Sequence, residues 1–398
     1  MIHSPWAVIA ALLGIETAVL WLSSQERFKS WFKFIPSIFW IYFLPMLAST
    51  LGILDPQSPI YSKISNQLLP MSLFLLLLTV DVRAILRLGK TALLMFFAGA
   101  AGVGLGIFFV FWLFKPWIGG QFWSGFGALA GSWTGGSANM IAVKEALGTP
   151  DAVFLPMVVV DTIVPYFWMG LLVIAAAHQQ RYDRFNRSDR RILDELSHKL
   201  GTAPYFSEQA SKKIGRCPQF MQLLSSIGIL VLAIAGGLAA KYISQFLPVI
   251  KDVISTYAWT IIVVSSLAIA CSFTPLKRIE AYGSSKIGYF ILYFVLTSIG
   301  AKANISNIGN ALILIGAGFL IVLIHAAVLL ITARVIRAPL FLAAVASQAN
   351  VGGVASAPMV AEIYQKGFAS VGLLLAILGN IIGTYIGIAV GQLCRLLQ

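Results

Sequence analysis

The chain has 398 residues, of which 59% are hydrophobic and 11% charged, and its formal net charge is +13. Soluble domains carry about 25% charged residues, so this sequence cannot cover a water-facing surface and a soluble fold is excluded. The basic residues sit between apolar runs, the pattern that orients membrane helices, so the positive charge is not read as a nucleic-acid footprint.

Apolar runs close to the ~20 residues that cross a ~30 Å hydrocarbon layer recur along the chain. Spans are predicted at 4–23, 36–52, 67–83, 91–114 and 151–177, then at 220–240, 255–273, 287–301, 308–333 and 368–393. Between the two sets lies a polar, basic segment, 178–219, read as a cytoplasmic linker near lipid headgroups with a short helix at 188–199. Two further stretches, 122–148 and 339–365, are apolar but broken by glycine and polar side chains. The start "MIHSPWAVIA" has no basic segment before its apolar run, so neither a cleaved signal nor a transit peptide is expected. Cys217, Cys271 and Cys394 lack any pair spacing, which argues against a disulfide framework or a zinc site.

Charge bears on whether the broken stretches cross. If both are re-entrant hairpins and ten spans cross, 21 of the 28 Lys and Arg residues fall on the cytoplasmic side, with both termini outside. If all twelve stretches cross, the bias shrinks to 17 against 11. The hairpin arrangement obeys the positive-inside rule better. In the first stretch, Trp123 to Thr134 gives about 18 Å of helix, Gly135-Gly136 turns the chain, and Ser137 to Leu147 returns.

The two halves are similar in order. "LLTVDVRAILRLGKTALLMFFAGA" (77–100) pairs with "VLTSIGAKANISNIGNALILIGAG" (295–318), and "TGGSANMIAVKEA" (134–146) with "VGGVASAPMVAEI" (351–363). "VVVDTIVPYFWMG" (158–170) pairs with "ILGNIIGTYIGIA" (377–389), which aligns Asp161 with Asn380. Five crossings and one hairpin per half make the second half inverted relative to the first. The expected architecture is an all-α polytopic membrane protein of two inverted repeats, 1–177 and 220–398, joined by the linker 178–219. It has about ten transmembrane helices and two Gly-Gly interrupted segments. Paired interrupted segments in inverted halves are the sequence signature of secondary transporters.

The candidate site follows from what is costly in hydrocarbon. Asp161, with Thr162 beside it, lies deep in a span where an ionisable group is a functional hypothesis by default. It is the expected sodium or proton site, and no other metal or cofactor is expected. The hairpins add Ser132, Thr134, Gly135, Gly136, Ser137 and Asn139 from the first, and Ser347, Gln348, Asn350, Gly352, Gly353 and Ser356 from the second; Asn380 joins them as the mate of Asp161. Small residues also permit close helix packing, but the amides of Asn139, Gln348 and Asn350 are expensive there unless paired. Glu145 and Glu362, with Lys144, are expected at solvated hairpin ends; Asp81 and Arg83 as an interfacial ion pair; Thr79 and Thr297 as site-lining. Glu16 is expected to face a neighbouring helix or a cavity, and His325 to be a packed hydrogen-bonding residue.

At "GSWTGGSANM", "VVVDTIVPY" and "SQANVGGVASAP" the chain resembles the YjcL-like integral membrane family, a family without an assigned activity, over nearly its whole length. More distantly its layout looks like the sodium-coupled glutamate and 2-hydroxycarboxylate symporters, the bile-acid symporters and the cation–proton antiporters. That resemblance implies ions and substrate near Gly135, Gly136, Gly352 and Gly353, with Asp161 and Asn380 close by. The expected function is therefore cation-coupled secondary transport of a small, anionic solute across the cytoplasmic membrane. The alternatives are a cation–proton antiporter without organic substrate and a non-transporting scaffold. An enzyme is not expected, since no nucleophile–base or metal set is present. Expected partners are the lipid bilayer and a small molecule or ion, not nucleic acid, and a homodimer is left open.

Overall fold

A chain crossing hydrocarbon without closing into a barrel must satisfy its backbone within each segment, which only a helix does. The computed structural model describes residues 2–28, 31–32, 37–189, 191–193, 196, 219–250, 255–302 and 311–398, with side chains of 219–225 and 311 undescribed. Among these residues the regular structure is helical, apart from one isolated bridge between Ile2 and Leu54. In chain order the helices are α1 (Pro5–Ser24), α2 (Ser37–Thr50), α3 (Ile60–Leu78), the short α4 (Val82–Leu86) and α5 (Gly89–Ile118). Next come α6 (Trp123–Gly135), α7 (Ser137–Leu147), α8 (Asp151–Ala176), α9 (Gln179–Asn186) and α10 (Gln219–Ser244). The last six are α11 (Thr256–Ser272), α12 (Ser284–Lys302), α13 (Ala311–Ile336), α14 (Leu340–Val351), α15 (Gly353–Tyr364) and α16 (Ala369–Arg395).

Nine of the ten predicted spans each meet a single helix among the described residues, while 67–83 runs past the end of α3 at Leu78 into α4. Seven of them, α1, α5, α8, α10, α12, α13 and α16, are long and apolar enough to cross a membrane. The other three are marginal: α2 has 14 residues and α11 has 17, while α3 has 19 but opens on two polar turns. Those turns make α3 start at Ile60, seven residues before the predicted edge at 67. Large apolar side chains point outward along the long helices: Leu105, Trp112, Ile174, Val231 and Leu238 are each more than half exposed. In water such a surface would aggregate; here it meets lipid. The protein is a multi-pass membrane protein embedded in the bilayer.

Two compact units are woven from both halves of the chain. The first holds Met1–Thr79, Glu145–Thr162 and Cys217–Leu312. Within it α12 packs on α1, α2 and α3, and α3 also meets α10 and α11. Glycines set the closest approaches: Gly300 of α12 lies against the Tyr42 carbonyl of α2, and Gly236 of α10 lies against the Phe74 ring of α3. The second unit holds Val80–Lys144, Ile163–Arg216 and Ile313–Gln398. It contains both glycine breaks, with α5 and α16 packed on α6 and α14. Along the chain, α5–α6–α7–α8, whose last helix is divided between the units, and α13–α14–α15–α16 each run long, short, short, long. The first series has 30, 13, 11 and 26 residues, the second 26, 12, 12 and 27.

Of the helix expected at 188–199, residues 188, 189, 191–193 and 196 are described, and of these 191–193 and 196 are helical; the rest of it and most of the linker lie outside the described residues. Just before it the described residues form α9.

Candidate functional site

Each interrupted segment breaks at a glycine pair, and the two glycines of a pair have different reasons. Between α6 and α7 only Gly136 is non-helical, at φ 79 and ψ 179, a conformation open essentially to glycine alone. Gly135, still helical, is required by packing, since a Cβ there would stand 2.6 Å from the Gly379 carbonyl oxygen of α16. In the second segment Gly352 has an ordinary φ of −110 but is crowded by the side chains of Gln348 and Ser356. Gly353 then takes φ +62.

The first break reverses the chain. Gly131 and Val143 are twelve residues apart, about 18 Å along a continuous helix. A Cβ on Gly131 would nonetheless stand 2.8 Å from Val143 Cγ2. α6 and α7 are therefore the arms of a helical hairpin. At the second break, Gln348 Nε2 reaches Ser356 Oγ at 2.7 Å. Eight residues of continuous helix span about 12 Å, beyond the joint reach of those two side chains, so the chain bends sharply there too.

The first hairpin is seated on α16 through glycine. Gly379, Gly383 and Gly387 recur every fourth residue, and Gly127, Gly131 and Gly135 do the same on α6. Gly379 lies against the Thr134 carbonyl, Gly383 against Gly135, and Gly387 against Gly131 and Val143. Backbones approach this closely only where neither helix carries a side chain, the small-xxx-small device of membrane helices. Asn139 fastens the tip. Its amide donates to the Gly135 carbonyl at 2.5 Å and to the Asn380 carbonyl at 3.3 Å, and its Oδ1 accepts from Thr384 Oγ1 at 2.5 Å.

The second segment is held by a chain of hydrogen bonds. His325 Nδ1 lies 2.8 Å from the Gly99 carbonyl of α5, which only accepts, so Nδ1 carries the proton. Nε2 then accepts from Ser347 Oγ at 2.9 Å, and Ser347 Oγ accepts from Trp168 Nε1 at 2.8 Å. One neutral tautomer satisfies the whole chain, so His325 is a packed hydrogen-bonding residue. Asn350 donates to the Ala346 and Phe96 carbonyls at 2.9 and 3.2 Å, which fixes its amide orientation.

Three oxygens at the breaks remain. Thr134 Oγ1, Gln348 Oε1 and Asn350 Oδ1 are buried and have no hydrogen-bond partner among the described residues. Their side chains are at most 1% exposed. Buried acceptors are normally paired, and each exception calls for an explanation. All three are neutral, hard oxygen donors of the kind that coordinate hard cations. Among the described residues no group of three His, Cys, Asp or Glu side chains could hold a metal.

Other candidates fall as follows. Ser132 is buried beside Thr134, while Gly136, Ser137 and Asn380 are part-buried at the tip. Asp161 and Thr162 belong to the first unit, whereas the tips belong to the second; Asp161 is part-buried and Thr162 Oγ1 bonds the Val158 carbonyl at 2.8 Å. Thr79 and Thr297 also lie in the first unit, their hydroxyls bonded to the carbonyls one turn back. Glu362 is exposed and accepts from the Gly367 amide at 2.9 Å. Lys144, expected at a solvated end, is buried instead. Asp81 caps α4 by accepting from the Ala84 amide at 3.2 Å.

Two features were not read from the sequence. One is the partnership of Thr384 and the glycine ladder with the first tip; the four-residue glycine spacing in "GNIIGTYIG" was its signal. The other is a clasp at α9, for which no local pattern gave notice. There the Asp183 carboxylate accepts from the Leu340 amide at 2.9 Å, capping the start of α14. Asn186 donates to the Ala338 carbonyl at 2.9 Å, and Arg334 bonds the Phe185 carbonyl at 2.8 Å.

Fold and site together define a polytopic helical membrane protein with two glycine-broken helices gathered in one unit. The chain belongs to the family described as "Protein of unknown function (DUF819)", whose model matches residues 10–397. It is similar to the "Uncharacterized membrane protein YjcL" of Bacillus subtilis (strain 168), at 24% identity over 392 residues, covering 97% of this chain and 95% of that one. The family resemblance read from the motifs is thereby borne out.

Proposed function

We propose that the protein is a cation-coupled secondary transporter of a small, anionic solute, working by alternating access between inverted repeats. The observation that carries this reading is the pair of helix breaks in one unit, with buried oxygens there that have no hydrogen-bond partner among the described residues. Irregular backbone survives at membrane depth only where protein buries it or where it lines a cavity, and paired interruptions of this kind mark binding sites in transporters. The matching long–short–short–long series supports the repeat. On this reading Thr134, Gln348 and Asn350 contribute oxygens to a sodium ion or to the solute, and Asp161 carries sodium or a proton as a separate acidic site. The solute leaves unchanged, so the protein is no enzyme. It sits in the cell membrane with both termini outside and 178–219 in the cytoplasm.

The test is thermal unfolding of purified protein against sodium, potassium, choline, pH and a metabolite library. A ligand specific for the native state stabilises it by about 2.7 kcal/mol at a hundredfold excess over Kd. Thr134→Val keeps the shape and removes one oxygen, and is expected to abolish the cation-dependent shift; Asp161→Asn tests the acidic site separately. Proteoliposome flux under imposed sodium or proton gradients distinguishes symport from antiport. If neither variant alters any cation-dependent stabilisation or flux, the assignment fails. Cysteine accessibility finding 115–121 and 178–219 on the same side would refute the re-entrant topology.

A further inference from the structure

Glu16 is the one ionisable side chain of α1, twelve residues into a twenty-residue membrane helix. It belongs to the first unit, away in sequence and in unit from the tip oxygens. It lies on the buried stripe Val8, Leu12, Glu16 and Val19, not on the face that exposes Trp6 and Trp21. Its side chain is fully buried, and neither carboxyl oxygen has a hydrogen-bond partner among the described residues.

Among the described residues, the elements packed on α1 bring no charge beside it to hold it as a carboxylate. α1 packs on α2, on α12 and on the short 3-10 turn Glu26–Phe28. The one ionisable residue of α2 is the phenol Tyr42. On α12 the ionisable residues are Lys286, Tyr289, Tyr293 and Lys302. Tyr293 is within electrostatic range of Glu16, and Tyr289 packs beside it with ring centroids 6.0 Å apart. The two lysines stand at the helix ends, about 10 Å or more along the axis from Tyr293. Glu26 and Arg27 of the turn are ten and eleven residues further along the chain, beyond the end of α1.

A bare carboxylate there would cost many kcal/mol, and an acid in such a place neutralises instead. A carboxyl kept for structure would be hydrogen-bonded, and an apolar residue of similar volume would fill the space at no polar cost. We propose that Glu16 is a proton-binding site: it holds a proton in the closed unit and releases it to water as a carboxylate when the unit opens. The inference does not depend on the tip oxygens, and nothing in the tip site uses Glu16.

The test is infrared pH titration of the full chain, wild type against Glu16→Gln. The expected wild-type-minus-variant difference is a protonated-carboxyl carbonyl band at neutral pH that bleaches at alkaline pH as a carboxylate band rises. Absence of any difference band, or a carboxylate signal already present at neutral pH, overturns the proposal. Should Glu16→Gln fail to fold, dicyclohexylcarbodiimide on the wild type decides. This apolar reagent adds the acid O–H across its N=C bond, and the acyl group then moves to nitrogen as a stable acylurea. Modification is expected on the Glu16 peptide, falling about tenfold per pH unit once the carboxyl titrates. Protection by sodium at constant pH, instead of by alkali, would make Glu16 a metal-cation site and refute the proposal. Thr134→Val is expected to leave the Glu16 signal intact, so loss of the tip site and loss of this one read out separately.

Discussion

Replacing Gly383 by alanine inserts one methyl group where α16 meets the first hairpin. The added Cβ would stand 2.6 Å from Gly135 Cα, 2.8 Å from Gly135 N and 3.0 Å from Asn139 Cγ. Ordinary van der Waals contact begins at 3.4 Å, so the nearest atom is about 0.8 Å too close. Two of the three obstacles are backbone, which cannot swing aside as a side-chain end would, so the hairpin must move off α16. Overpacking of this kind costs about 1–3 kcal/mol, while alanine in a helix regains about 1 kcal/mol relative to glycine. Gly316→Ala in α13 isolates the first contribution, because a Cβ there meets nothing within 4 Å. The propensity gain is common to both variants, so Gly383→Ala is expected to be about 1–3 kcal/mol less stable than Gly316→Ala. Unfolding of the detergent-solubilised proteins, scanned at one rate, measures the difference. Equal stability, or a more stable Gly383→Ala, would refute the close helix approach on which the site rests.

Two further expectations concern the hydrogen bonds behind the tips. Thr384→Val removes the donor to Asn139 Oδ1 and leaves a buried acceptor unsatisfied, at about 1–3 kcal/mol. A double-mutant cycle with Asn139→Ala should show coupling between the two, and strictly additive losses would place them apart. Ser347→Ala strips the shared partner from both Trp168 and His325, and is expected to cost about 2 kcal/mol or more. Ser347→Thr, which keeps a hydroxyl, should recover part of that loss. An alanine variant as stable as the wild type would show that the His325 chain does not hold α14.

How far the sequence reached differs by feature. Seven of the ten predicted spans were legible because hydrocarbon imposes a minimum apolar length on every crossing, whatever the neighbours. The breaks at Gly135-Gly136 and Gly352-Gly353 were legible because polar, glycine-rich sequence is out of place in such a chain. The separate duties of the two glycines in each pair were not, since a positive φ and a close approach leave the same letter in the sequence. Asn139 and Asn350 show the same limit. Both read as costly amides that needed partners, yet Asn139 is fully used in fastening the hairpin while Asn350 Oδ1 has no partner among the described residues.

The sequence alone determined that this is an α-helical membrane protein, where its helices run and where two of them break. Those properties follow from solvent transfer and backbone geometry, which act residue by residue. Only the tertiary structure decided that the first break is a hairpin, that a glycine ladder on α16 receives it, and that α9 clasps the start of α14. It also decided which polar atoms are satisfied, isolating Glu16 in one unit and Thr134 and Asn350 in the other. Satisfaction of a buried polar atom depends on partners hundreds of residues away in the chain, and no local pattern encodes it.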